Sequence, residues 1–130
     1  MPEIIKPRPK FLTLSQIHLP LPGFVSILHR VSGASLFLLL PWLIYLLQLS
    51  LTSPETFEHL KTHVAHPLVK LILFGLCWAF LHHFCAGIRF LLLDIQVGIE
   101  KPQARASAKA VLAISLGLTV VVALKFLEVF

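Results

Sequence analysis

The stretch GASLFLLLPWLIYLLQLSL, from Gly33 to Leu51, contains no charged side chain. If the helix extends back to about Phe24, the segment is long enough to cross a hydrocarbon core about 30 Å thick. Pro41 lies inside the segment and is a candidate position for a kink. We therefore predict that residues 24–51 form a transmembrane helix, and the rest of the chain is interpreted around this span.

Two further segments, residues 67–93 and residues 107–130, are apolar and long enough to cross a bilayer. The first of them is unusual because it carries side chains that are costly to place in lipid: His82, His83 and Arg89. The sequence therefore predicts an all-α integral membrane protein, a bundle of three transmembrane helices that forms one membrane-anchor domain.

The segments outside the three spans are short, so no soluble domain is expected in residues 1–130. Residues 1–23 are rich in proline and are interpreted as an interfacial arm. The polar connection between the first two spans is interpreted as a hairpin loop. Its histidines have no neighbouring cysteines or carboxylates that would strengthen a metal site, and we take them as ordinary loop residues: His59, His63 and His66.

The composition agrees with a membrane location, since 57% of the residues are hydrophobic and 13% are charged. The net charge of +5 does not indicate nucleic-acid binding, because the basic residues lie at the ends of apolar runs and not in a patch with interleaved aromatics. Lysine and arginine are frequent before the first span and between the second and third, but only Lys61 lies in the first connection. The positive-inside rule then predicts an inside N-terminus.

Four residues before and within the first span form one helical stripe, at spacings i, i+3, i+4 and i+7: Ser26, His29, Arg30 and Gly33. The predicted topology places Arg30 and Arg89 on the same inner side of the membrane. Arg30 could simply reach the interface by snorkelling. Arg89 is harder to explain in that way, since it lies about 7 Å inside the boundary at Asp94.

The second span places His83 above the small residues Ala86 and Gly87, which would leave room for a flat group against the helix. A haem needs an imidazole for iron, small neighbours and cations for its propionates. Without further information, a contact between helices is the simpler interpretation of His82 and His83, because polar and small residues are common where membrane helices pack.

Four motifs together resemble the cytochrome b556 subunits of succinate dehydrogenase, the larger membrane anchors of respiratory complex II. They are RPKFLTL at residues 8–14, SILHRVSG at 26–33, SPETFE at 53–58 and HHFCAGIRFLLLD at 82–94. The resemblance implies a subunit that passes electrons from succinate oxidation to ubiquinone and has no activity alone. It also implies a second small membrane-anchor subunit that shares one haem b, and a flavoprotein and an iron–sulfur protein docked on the inner face.

The resemblance assigns roles to individual residues. His83 matches the axial haem ligand, four residues before the glycine of GIR, and His82 is then only its neighbour. Ser26 and Arg30 match contributions to the quinone pocket. The haem-propionate contacts are assigned to His29, Arg30 and Arg89. Phe90 stands where many relatives carry a second histidine after GIR, so any role of that histidine passes to Arg89, to His29 or to the partner subunit.

The depth of His83 independently predicts a missing partner chain. At helical rise His83 lies roughly 16 Å from the boundary at Asp94, near the middle of the bilayer. No other histidine of this sequence is expected at that depth, so the second ligand of a six-coordinate haem would come from another chain.

Two alternatives remain open at the level of sequence. One is the anchor of a fumarate reductase, since the direction of the reaction depends on potentials and on the quinone. The other is a structural membrane scaffold that binds no cofactor. We expect the chain to lie in a bacterial inner membrane as a multi-pass protein that does not bind nucleic acid.

Overall fold

The computed structural model describes residues 14–129, which are helical apart from short connections and contain no strand. The predicted arm therefore lies outside the described residues over positions 1–13, as does Phe130. A short 3-10 turn at Leu14–Gln16 precedes four helices. They are α1 (Leu21–Thr52), α2 (Pro54–Ala65), α3 (Pro67–Asp94) and α4 (Lys101–Val129).

Helices α1, α3 and α4 are each long and apolar enough to cross a membrane, which confirms the predicted three-span, all-α fold. Helix α1 begins at Leu21, before the expected start, with proline at its first turn, where the missing N–H costs nothing. It continues through Pro41 as one helix. Helix α4 also begins earlier than expected, at Lys101, so its first turns are polar.

The expectation of a loop between the first two spans was wrong, because α2 occupies most of that connection. Ser53 caps α2: its hydroxyl accepts from the Thr56 N–H, and the Thr56 hydroxyl accepts from the Ser53 N–H. Leu60 and Val64 lie on one face of α2 and pack with Leu46 of α1 in a buried cluster. An amphipathic helix thus covers the end of the α1–α3 pair.

The connection from α3 to α4 is a tight turn built on left-handed backbone. Gln96 has a φ of 64° and Gly98 a φ of 78°, and glycine adopts such a conformation without steric cost. The turn returns the chain so that α4 packs along α3.

The main core cluster joins the three long helices through small side chains. Val25 of α1, Ala86 of α3, and Ala108 and Val111 of α4 are all buried there. Small residues let membrane helices approach closely, and dispersion contacts are the main attraction between helices in lipid. This cluster fixes the rotation of α3, and therefore which of its polar side chains face α1 and which face α4.

Candidate functional site

His29 of α1 and His83 of α3 face each other at the contact between the two helices. Their imidazole rings are stacked, with centroids 4.1 Å apart and planes 8° apart. Both side chains are half-buried. The expectation that no other histidine lies at the depth of His83 was wrong, because the packing of α1 on α3 brings the His29 ring against it.

The backbone of α1 also holds the His83 ring. His83 Nδ1 lies 3.0 Å from the carbonyl oxygen of His29 and 3.3 Å from the hydroxyl oxygen of Ser32. The Ser32 hydroxyl donates to the same His29 carbonyl at 2.9 Å. Ser32 was not among the predicted site residues, although it lies in the SILHRVSG motif at the i+3 position from His29.

Gly33 provides the space next to the His83 ring. A Cβ atom at Gly33 would lie 2.7 Å from His83 Cε1, closer than real Cβ atoms approach, and 3.2 Å from its Nδ1, tighter than most real Cβ contacts. The His83 ring therefore occupies the space that the side chain of any other residue at position 33 would need.

The expected open space above Ala86 and Gly87 is filled by this chain. Ala86 is fully buried in the cluster shared with α1 and α4. A Cβ at Gly87 would lie 3.8 Å from His29 Nε2, an ordinary van der Waals distance. These small residues therefore serve close packing of the helices and do not leave a slot for a flat group on that face.

His82 has surroundings quite different from those of His83. It is 0% exposed, and within the described residues neither ring nitrogen meets hydrogen-bond geometry, although the ring lies near the backbone of Val25. Its ring centroid lies 5.2 Å from that of Trp78, in a tilted arrangement. Adjacent helical residues point about 100° apart, so His82 faces the core while His83 faces α1.

Arg89 is 6% exposed and is turned towards α4. Its Nε donates to the Ser107 hydroxyl at 2.9 Å, and its Nη2 donates to the Ala104 carbonyl at 3.3 Å. Its Cζ lies 5.5 Å from the centroid of Phe90. Two neutral oxygens thus solvate a guanidinium that would otherwise be buried without partners.

Phe90 lies between His29 and Arg89, because its ring centroid is also 5.0 Å from that of His29. Phe90, at the position where the resemblance implies a histidine, therefore contacts two of the three residues predicted to bind the propionates.

Ser26 and Arg30 lie on α1 one turn or less from His29, as the stripe predicts. Ser26 is half-buried and Arg30 is exposed. Among the described residues neither side chain has a hydrogen-bond partner, so the polar groups of both are available to other molecules.

The hydrogen bonding of His83 fits a haem ligand, although the space that the sequence predicts above Ala86 and Gly87 is filled by this chain. A carbonyl oxygen can only accept, so the contact with His29 requires the proton on His83 Nδ1 and leaves the lone pair on Nε2. Metal-binding histidines are held in this way. Within residues 14–129 no group of three or more histidine, cysteine or carboxylate side chains is arranged to hold a metal ion.

Comparison with known proteins gives a consistent family. A family model described as succinate dehydrogenase/fumarate reductase transmembrane subunit matches residues 5–122. The succinate dehydrogenase cytochrome b556 subunit of Coxiella burnetii is 38% identical over 109 residues, which are 83% of this chain and 87% of the relative. That of Paracoccus denitrificans is 34% identical over 119 residues, 92% of each chain.

A third relative is the cytochrome b556 subunit of Rickettsia felis, 32% identical over 98 residues, which are 75% of this chain and 76% of the relative. All three relatives are bacterial, which is consistent with a bacterial inner membrane for this integral membrane protein. With the family model spanning most of its length, the chain belongs to the succinate dehydrogenase/fumarate reductase transmembrane subunits.

Proposed function

We propose that this chain is the membrane-anchor subunit of a succinate dehydrogenase that binds haem b and ubiquinone and passes electrons from succinate oxidation to the quinone. The observation that carries the proposal is the His83 imidazole, whose Nδ1 lies 3.0 Å from the His29 carbonyl oxygen of α1 and whose Nε2 makes no hydrogen bond within the described residues. The family membership and the names of the relatives support the same conclusion.

In this proposal His83 would hold the haem iron from this chain, and a second small membrane-anchor subunit that shares the haem would supply the other ligand. A b-type haem would supply one-electron redox chemistry beside the quinone. His29, Arg30 and Arg89 are the proposed contacts to its propionates. Arg89 would use the N–H groups of its guanidinium that do not donate to Ser107 and Ala104.

The quinone is proposed to bind beside Ser26 and Arg30, near the inner face. The Arg30 guanidinium would stabilise negative charge that develops on a quinone oxygen, and the Ser26 hydroxyl would orient the head group by hydrogen bonding. Both groups lack partners within the described chain, which supports a role in binding a further molecule. An iron–sulfur protein and a flavoprotein, docked on the same inner side, would complete the path of the electrons.

The test is an absorption spectrum of the complex purified from cells with full haem supply. A reduced b-type α-band is expected, and mass spectrometry should identify the partner chains and ubiquinone in the same preparation. A colourless complex would overturn the haem assignment and favour a structural scaffold. A low-potential quinone in place of ubiquinone would favour the fumarate-reducing direction, which the description of the family also includes.

A further inference from the structure

We propose that Ser32 and Gly33 of α1 are positioning residues, which hold the His83 ring in the one orientation that leaves Nε2 for iron. The inference rests on the proposed haem site and adds to it two residues with no other assigned role.

The first element is a closed set of hydrogen bonds around Nδ1. The Ser32 hydroxyl donates to the His29 carbonyl at 2.9 Å, so its oxygen lone pairs remain free to accept. The proton on His83 Nδ1 is then shared between the His29 carbonyl at 3.0 Å and the Ser32 oxygen at 3.3 Å. This assignment of protons gives a hydrogen-bond partner to each of the Ser32 hydroxyl, the His29 carbonyl and His83 Nδ1.

Burial makes this arrangement hard to replace. Ser32 is only 4% exposed, so water has little access to take over its contact with Nδ1. Acceptors on Nδ1–H also make Nε2 more basic, and a more basic ligand favours ferric over ferrous iron. Removal of the Ser32 oxygen should therefore raise the midpoint potential of the haem.

The second element is steric. The His83 ring is confined between the stacked His29 ring at 4.1 Å and the bare backbone of Gly33. A methyl group at Gly33 would approach His83 Cε1 to 2.7 Å, and the nearest atoms belong to a short, stiff ring and not to a flexible chain end. The ring would have to rotate or withdraw, and Nε2 would move with it.

The hydrogen-bonding part is tested with Ser32→Ala in the complete complex, by redox titration of the haem band and by low-temperature electron paramagnetic resonance. We expect normal haem content, a raised midpoint potential and shifted low-spin g-values. Ser35→Ala is the matched control, because its hydroxyl bonds only to the Val31 carbonyl of its own helix. The control should retain the wild-type potential and spectrum.

A near-isosteric variant separates the hydrogen bond from the volume of the side chain. Ser32→Cys keeps a group of similar size but offers a much weaker acceptor. The potential should again rise, with assembly unchanged. A wild-type potential in both Ser32→Ala and Ser32→Cys would overturn the proposed role of Ser32.

The steric part is tested with Gly33→Ala, compared with Gly117→Ala in α4, where a Cβ meets nothing within 4 Å. Alanine favours a helix over glycine by about 1 kcal/mol, so helix propensity cannot explain a defect. We expect Gly33→Ala to give high-spin haem or loss of haem, and Gly117→Ala to retain a low-spin spectrum. Normal low-spin haem in Gly33→Ala would overturn the role of Gly33.

The outcomes distinguish a failure of the proposed function from a failure of the inference on Ser32 and Gly33. A wild-type complex without haem would overturn the proposed function, and with it this inference. A wild-type complex with low-spin haem, together with unchanged Ser32 and Gly33 variants, would overturn the inference alone. If Gly33→Ala does not assemble while Gly117→Ala does, the Ser32 variants decide whether the positioning of His83 by α1 stands.

Discussion

His83 Nδ1 lies 3.0 Å from the carbonyl oxygen of His29, and the two imidazole rings are stacked 4.1 Å apart. His83 of α3 is thus hydrogen-bonded to the backbone of His29 in α1, and the His29 ring stacks on the same imidazole. The orientation of the proposed ligand is therefore set by the contact between two spans and not by its own helix alone.

The inside location of the N-terminus is testable by topology reporters. Reporters fused after Phe130 and inserted beside Lys61 should both report the outside, and one inserted near Gln103 should report the inside. The reason is the excess of lysine and arginine before α1 and in the first turns of α4. Alkaline phosphatase and green fluorescent protein activities provide the readout. The opposite pattern would move Arg30 and Arg89 to the outer face and remove the basis of an inner quinone site.

Arg30→Leu should lower quinone reduction by at least about tenfold, because one cation that stabilises the developing charge is lost. Succinate oxidation measured with a soluble artificial acceptor should be nearly unchanged, since flavin and iron–sulfur clusters are expected on other chains. The two rates, measured on the same preparation, check the prediction.

Arg105→Leu is the control for the Arg30 variant, because Arg105 is an exposed arginine at the start of α4 with no role in the proposed site. It should retain both activities. An equal loss of the two activities in Arg30→Leu would point to failed assembly and contradict a specific part in quinone reduction.

Ser107→Ala should weaken the α3–α4 contact by about 1–3 kcal/mol, because the buried Arg89 guanidinium loses the acceptor of its Nε proton. The measurement is the temperature at which the chain leaves the complex on native gels. Ser50→Ala is a suitable control, since its hydroxyl bonds only within α1, to the Leu47 carbonyl. Equal midpoints for the two variants would show that the Arg89–Ser107 bond contributes little.

The three spans could be predicted from the sequence because hydropathy and length suffice to identify helices that must satisfy their backbone groups inside lipid. Helix α2 was missed because the usual capping signature has Glu or Gln three residues after the cap, and here Thr56 closes the box with Ser53. Its buried pair, Leu60 and Val64, is too small a pattern to stand out in a polar segment.

The arrangement of the candidate residues could be predicted in part. Helical spacing correctly placed Ser26, His29, Arg30 and Gly33 on one stripe, because these positions follow from the geometry of a single helix. The partner of each side chain across helices depends on the rotation and register of α3, which spacing within one segment does not determine. For this reason the contacts of Ser32 with His83 could not be derived from the motifs.

The last prediction compares His83→Ala with His82→Ala, two adjacent residues with opposite surroundings. His83 is half-buried with Nδ1 bonded to α1, whereas His82 is fully buried and neither of its ring nitrogens meets hydrogen-bond geometry within the described residues. Removing His83 should leave iron without one axial imidazole, so the low-spin b-type spectrum should change to high spin or disappear. Removing His82 should leave the spectrum unchanged, although the lost packing against Trp78 should cost about 1–3 kcal/mol of stability.

Quinone reduction should partly survive His83→Ala, because the quinone is proposed to lie nearer the inner face and to take electrons from the iron–sulfur protein. Optical and electron paramagnetic resonance spectra of the two purified complexes show which of the two histidines is the haem ligand. A normal low-spin haem in His83→Ala, with an altered one in His82→Ala, would reassign the ligand while leaving the family unchanged.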